Sequence, residues 1–132
     1  VRPFTLEGID HVALAVRDAH RSAAWYQDVL GLTRRYQEAW GDRPIVVGAG
    51  TTSLALFPVQ GAYEGGPETP TGRSHLRHIA FRVDGANFQR AQEALRGRGI
   101  TFESQDHAIS RSIYFKDPDG YELEITTYDV VP

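Results

Sequence analysis

The chain has 132 residues, no cysteine and a formal net charge of −3. That length fits one domain able to bury a core without disulfides, and the lack of thiols excludes both disulfide stapling and thiolate metal ligation. The mild charge offers no basic surface to nucleic acid, no apolar run approaches the roughly 18 residues of a membrane span, and the opening Val-Arg-Pro-Phe-Thr-Leu-Glu lacks the apolar stretch of a signal peptide. The expectation is a cytoplasmic protein with neither nucleic acid nor membrane as partner.

In chain order, a first strand is predicted over about Ile9–Val16. Alternation places His11, Ala13 and Ala15 on one face and Val12, Leu14 and Val16 on the other. Asp18 is a predicted N-cap for a helix over Ala19–Leu30, with Ala23, Tyr26, Val29 and Leu30 at helical spacing and Gly31 as C-cap. Strands are predicted near Leu32–Trp40, Pro44–Ala49 and Ser53–Phe57, separated by turns at Gly41-Asp42 and Gly50-Thr51. Residues 59–74, rich in glycine and proline, read as a connector long enough to suggest a functional loop over a pocket.

The order then repeats. A strand is predicted over Leu76–Val83 and a helix over Ala86–Arg96, ended by Gly97 or Gly99. Strands follow near Thr101–Ser104, Arg111–Phe115 and Tyr121–Thr127, the last two joined by an Asp117-Pro118-Asp119-Gly120 turn. Each half therefore reads β-α-β-β-β: module one about 6–58, the connector, and module two about 75–128, in one domain spanning 1–132. Such a half leaves one sheet face uncovered, and two halves can close around a shared cavity.

The repeat extends to single residues. Asp10-His11-Val12-Ala13-Leu14 in the first half matches Arg77-His78-Ile79-Ala80-Phe81 in the second, so each half offers one strand histidine. A single such histidine is ordinarily structural; two at equivalent positions point to a site where the halves meet, and a metal site suits them. Ser112, Tyr114, Glu122 and Glu124 share the face opposite the apolar Ile113, Phe115, Leu123 and Ile125. Polar groups on an enclosed face are costly unless they are used, and Ala13 and Ala80 leave room there.

These segments, with Trp25-Tyr26, Leu30-Gly31-Leu32 and the Asp-Pro-Asp-Gly-Tyr-Glu-Leu-Glu run at 117–124, resemble the vicinal oxygen chelate superfamily over about residues 6–128. That family includes glyoxalases, bleomycin-resistance proteins, fosfomycin-resistance enzymes and extradiol dioxygenases. The resemblance implies an α+β fold of paired βαβββ modules forming a curled mixed sheet around a metal cavity. It also implies His11, His78 and Glu124 as metal ligands and a homodimer as the assembly. A fourth ligand position is occupied by Ala55, within Leu54-Ala55-Leu56, so a two-His, one-carboxylate set would leave sites open to a substrate. Glu122 is the alternative carboxylate.

Residues 107–124 further resemble the extradiol dioxygenase pattern: His107, five residues, Ile113-Tyr114, two residues, the Asp-Pro-Asp-Gly turn and then Glu124, with Gln105 as a departure upstream. This implies catalytic roles for His107 and Tyr114, substrate contact by Ser112, and a divalent metal, Fe(II) first, with Mn(II), Zn(II) or Ni(II) as substitutes. The leading expectation is a ring-cleaving dioxygenase for a catechol-like substrate. His75 and His20 read as surface residues. Ser112-x-Tyr114 also resembles a pair in fosfomycin-resistance transferases, but no cation stands near Ser104 and no arginine follows Glu124, and an anionic substrate would need such partners. The same resemblance also admits an isomerase or epimerase, and a non-catalytic binder of an antibiotic-like molecule walled by Tyr36, Trp40 and Tyr63.

Overall fold

A computed structural model describes residues 3–59 and 76–130, which belong to two compact units. The connector's residues 60–74, together with Tyr63 and His75, lie outside the described residues.

Unit 1 runs β1 (Val12–Val16), α1 (Ala19–Leu30), β2 (Thr33–Arg35), α2 (Gln37–Trp40), β3 (Ile45–Ala49) and β4 (Thr52–Pro58). Its sheet order is β1-β4-β3-β2, with β1 parallel to β4 and the other pairs antiparallel. Helix α1 begins where Asp18 accepts a hydrogen bond from the Arg21 amide and ends where Gly31 takes φ 69°, a left-handed conformation that glycine adopts without strain. It lays Ala19, Ala23 and the fully buried Tyr26 over β3 and β4. Leu14, Val16, Ile45, Val47, Leu54 and Leu56 complete this core, each large side chain contributing about 1.5–3 kcal/mol by leaving water. Gly48 admits no side chain, because a Cβ would collide with the Thr52 carbonyl oxygen. The space beside it holds the Arg35 guanidinium, which donates to Ser53 Oγ (2.9 Å) and Gly50 O (2.8 Å) and ties β2 to the β3–β4 turn.

Unit 2 runs β5 (Ile79–Arg82), α3 (Gly85–Gly97), β6 (Glu103–Asp106), β7 (Arg111–Lys116) and β8 (Glu122–Thr127). Its sheet order, β5-β8-β7-β6, repeats that of unit 1, again with the first strand parallel to the last. Asp84 caps α3 through the Asn87 amide. Of the α3 residues only Leu95 is buried, and the core rests mainly on Ile113, Phe115, Leu123 and Ile125. The turn between β7 and β8 forms as predicted: Asp117 Oδ1 accepts from the amides of Asp119 (2.8 Å) and Tyr121 (2.9 Å), and Gly120 has φ 90°.

The α+β class and the doubled βαβββ order agree with the sequence reading. Among the described residues there are two four-stranded mixed sheets, one per unit. Two details differ. The strand predicted through Trp40 stops at Arg35, because Tyr36 adopts φ 60° and turns the chain into the short helix α2. His11 and His78 are not mid-strand; each immediately precedes its strand.

Candidate metal and substrate site

The site in unit 2 is set by strand register. Glu124 on β8 lies between Ala80 on β5 and Tyr114 on β7, and Ser112 is paired with Thr126. These side chains share one face, while Ile113, Leu123 and Ile125 point to the core. Glu124 is 8% exposed, so its carboxylate needs partners, and it has them. Ser112 Oγ donates to Glu124 Oε2 at 2.6 Å, a short charge-assisted bond. Ser112 has one proton to give, and the charged oxygen takes it. Thr126 Oγ1 lies 2.9 Å from Ser112 Oγ and donates its proton to the Arg111 carbonyl oxygen at 3.2 Å.

The other carboxylate oxygen, Oε1, faces His78 Nε2 at 3.0 Å. Tyr114 stands beside the pair, its ring edge-on to His78 with centroids 5.8 Å apart. Its hydroxyl lies 3.0 Å from His107 Nε2. His107 reaches this position through a tight turn between β6 and β7: Ala108 takes φ 71°, its amide donates to Asp106 Oδ1, and the His107 amide donates to the Ser110 carbonyl. Loss of hydration and then the negative charge of Glu124 push the Tyr114 phenol above its ordinary value, against a lowering hydrogen bond from Ser112.

A cleft of about 720 Å³ opens beside Tyr114 and is bordered by Glu103, Lys116 and Glu122. Lys116, paired in register with Glu122, takes part in none of the ion pairs among the described residues. Lys116 and Thr126 are site residues that the sequence reading does not single out; both follow from carrying the alternation of Ser112-Tyr114 and Glu122-Glu124 one step further.

His11 belongs to unit 1. Its Nδ1 lies 2.8 Å from Asp10 Oδ2, and both side chains are substantially exposed. A carboxylate only accepts, so Nδ1 carries a proton in this contact. His20 lies on the surface near Asp42, as expected. Among the described residues no three His, Asp or Glu gather into a group able to hold a metal. Within unit 2, His78 Nε2 and Glu124 Oε1 face each other and the second carboxylate oxygen is held by Ser112; an imidazole and a supported carboxylate are donor types that suit a divalent metal.

The register also tests the repeat. Val12 pairs with Leu54 as Ile79 pairs with Leu123, and Ala13 with Ala55 as Ala80 with Glu124. Ala55 is therefore the structural counterpart of Glu124. A family model described as the Glyoxalase/Bleomycin resistance protein/Dioxygenase superfamily matches residues 8–125. The chain belongs to this superfamily. The chain is similar to the glutathione transferase FosA of Serratia marcescens, 31% identical over 120 residues, covering 91% of this chain and 80% of that protein. The metallothiol transferase FosB of Lysinibacillus sphaericus is 28% identical, covering 94% of this chain and 84% of its own length. A superfamily structure, a glyoxalase/dioxygenase from Nostoc punctiforme, superposes with a TM-score of 0.76 at 26% identity, covering 96% of this chain and 94% of that one. Superfamily membership fixes the fold and leaves the reaction to the site. No helix among the described residues is long and apolar enough to cross a membrane.

Proposed function

We propose that the protein is a divalent-metal enzyme acting on a small substrate with adjacent oxygens, and that its reaction is transfer to that substrate from a thiol. The observation that carries this reading is the environment of Glu124: a buried carboxylate oriented by Ser112, facing His78, with Tyr114 alongside and Lys116 in the neighbouring cleft. His78 and Glu124 would hold the ion, with His11 the further ligand that the family resemblance implies, and a homodimer is the assembly. When bound, the ion would polarise the substrate's oxygens; Mn(II), Zn(II) and Ni(II) suit this role.

The chain's own residues supply the rest. Lys116 draws in an anionic group, the role for which no cation stands near Ser104 in the sequence. As the thiolate sulfur bonds to carbon and the carbon–oxygen bond breaks, Tyr114 donates its proton to the released oxygen, and His107, in contact with the same hydroxyl, resupplies it. The FosA and FosB relatives support the transfer class.

The second reading, ring cleavage of a catechol with Fe(II) and O₂, is favoured by the His107–Tyr114 contact, because His107 is the residue that distinguishes that pattern. One experiment separates the two. Protein loaded with each metal is given glutathione and fosfomycin, with thiol consumption followed, and in parallel a catechol panel, with O₂ uptake followed. Metal-dependent thiol loss supports the first reading. O₂ uptake with Fe(II) alone replaces it with the second. A protein that binds metal stoichiometrically and does neither overturns both.

A further inference from the structure

The face that is polar in unit 2 has a different lining in unit 1. Strand pairing places Val46 opposite Ala55 where unit 2 has Tyr114 opposite Glu124. Continuing both ladders, Pro44 and Phe57 stand where unit 2 has Ser112 and Thr126. The result is a cavity of about 330 Å³ against this face, within the size range of small-molecule pockets. Two aromatic residues wall it from the start and end of α2. Tyr36 holds a left-handed φ of 60°, uncommon for a bulky residue, and its ring meets Trp40 with centroids 5.0 Å apart. Both rings, and Phe57, are about half exposed. His11 lies at the cavity's edge with Asp10, its hydrogen-bond partner. Arg43 also lines it and takes part in none of the ion pairs among the described residues.

We infer that this cavity binds a planar aromatic group bearing an acidic substituent, with the ring against Trp40, Tyr36 and Phe57 and the anion toward Arg43. Aromatic walls favour stacking over aliphatic contact, and the Arg43 guanidinium supplies the charge complement. Assigning the bound group as the non-reacting body of the enzyme's substrate rests on the function proposed above; the binding itself does not, since it needs no metal.

The test uses the full chain without metal, titrated with naphthoate and with uncharged naphthalenemethanol and followed by amide NMR and calorimetry. Saturable naphthoate binding is expected, with shifts centred on residues 36–57 and the Trp40 indole. Trp40→Ala, at an exposed position, should weaken it about tenfold. Arg43→Gln should weaken naphthoate more than naphthalenemethanol. Ala55→Glu should abolish both by filling the cavity, and its fold is checked by circular dichroism. No saturable binding, shifts confined to unit 2, or binding indifferent to Trp40→Ala overturns the inference. Shifts of the same residues that track protein concentration without ligand also overturn it, because they would assign the face to a second copy. Binding retained in a protein with no thiol or oxygen chemistry would leave the pocket standing and remove the function assigned to it.

Discussion

The two units share sheet order and register, and their element order differs only by the short helix α2 of unit 1, yet they differ in what they present on one face. In unit 1 the positions are Ala55 and Val46; in unit 2 they are Glu124 and Tyr114. The opposite, core-facing positions hardly differ: Leu54 and Leu123 are both fully buried. The shared positions are the ones that build the core; the opposite face carries polar side chains in unit 2 and an aromatic-walled cavity in unit 1.

The sharpest way to break this comparison is to remove the charge that separates the halves. Glu124→Ala should abolish stoichiometric metal binding, read by equilibrium dialysis with elemental analysis, because Oε1 is the donor facing His78. Metal retained at the wild-type ratio would show that the two faces do not differ in the way proposed. The shared core is tested by Leu54→Ala and Leu123→Ala. Each should cost about 2–5 kcal/mol in denaturant unfolding, since both lie fully buried at equivalent register positions.

A smaller effect is expected at Ser112. Ser112→Ala removes the donor to Glu124 Oε2 and should weaken metal binding about 10–100-fold, the usual cost of losing a ligand's hydrogen-bonded support. An unchanged affinity would return Ser112 to a packing role. The smallest effects belong to the helix caps. Asp18→Ala and Asp84→Ala should each cost about 1 kcal/mol, because each carboxylate accepts one amide in the first turn of its helix.

Local chemistry decides which elements are legible in the sequence. Helix α1 is legible to the residue, since Asp18 and Gly31 each satisfy a terminus by a mechanism tied to their own chemistry. The Asp117–Gly120 turn is legible for the same reason. The segment after Arg35 is not. Tyr36 and Trp40 carry high strand propensity, and only the left-handed backbone at Tyr36 reveals the reversal. In the site, Ser112 and Glu124 are legible from alternation. The His107–Tyr114 contact depends on a loop whose turn at Ala108 has no glycine to announce it. Lys116 follows from the alternation, but its cleft does not, because strand register sets it opposite Glu122 and neighbouring strands assemble the walls.

Helices α1 and α3 are anchored unequally. Helix α1 buries four of its residues, including a tyrosine, whereas α3 buries Leu95 alone. Little apolar area has to be exposed to lift α3, so it should open at low free-energy cost while β7 and β8, anchored by Ile113 and Leu123, stay closed. Amide hydrogen exchange should therefore be fast in α3, slow in α1 and slowest in the strands that carry the site. The scaffold of Glu124 would keep its shape while the helix of the same unit breathes.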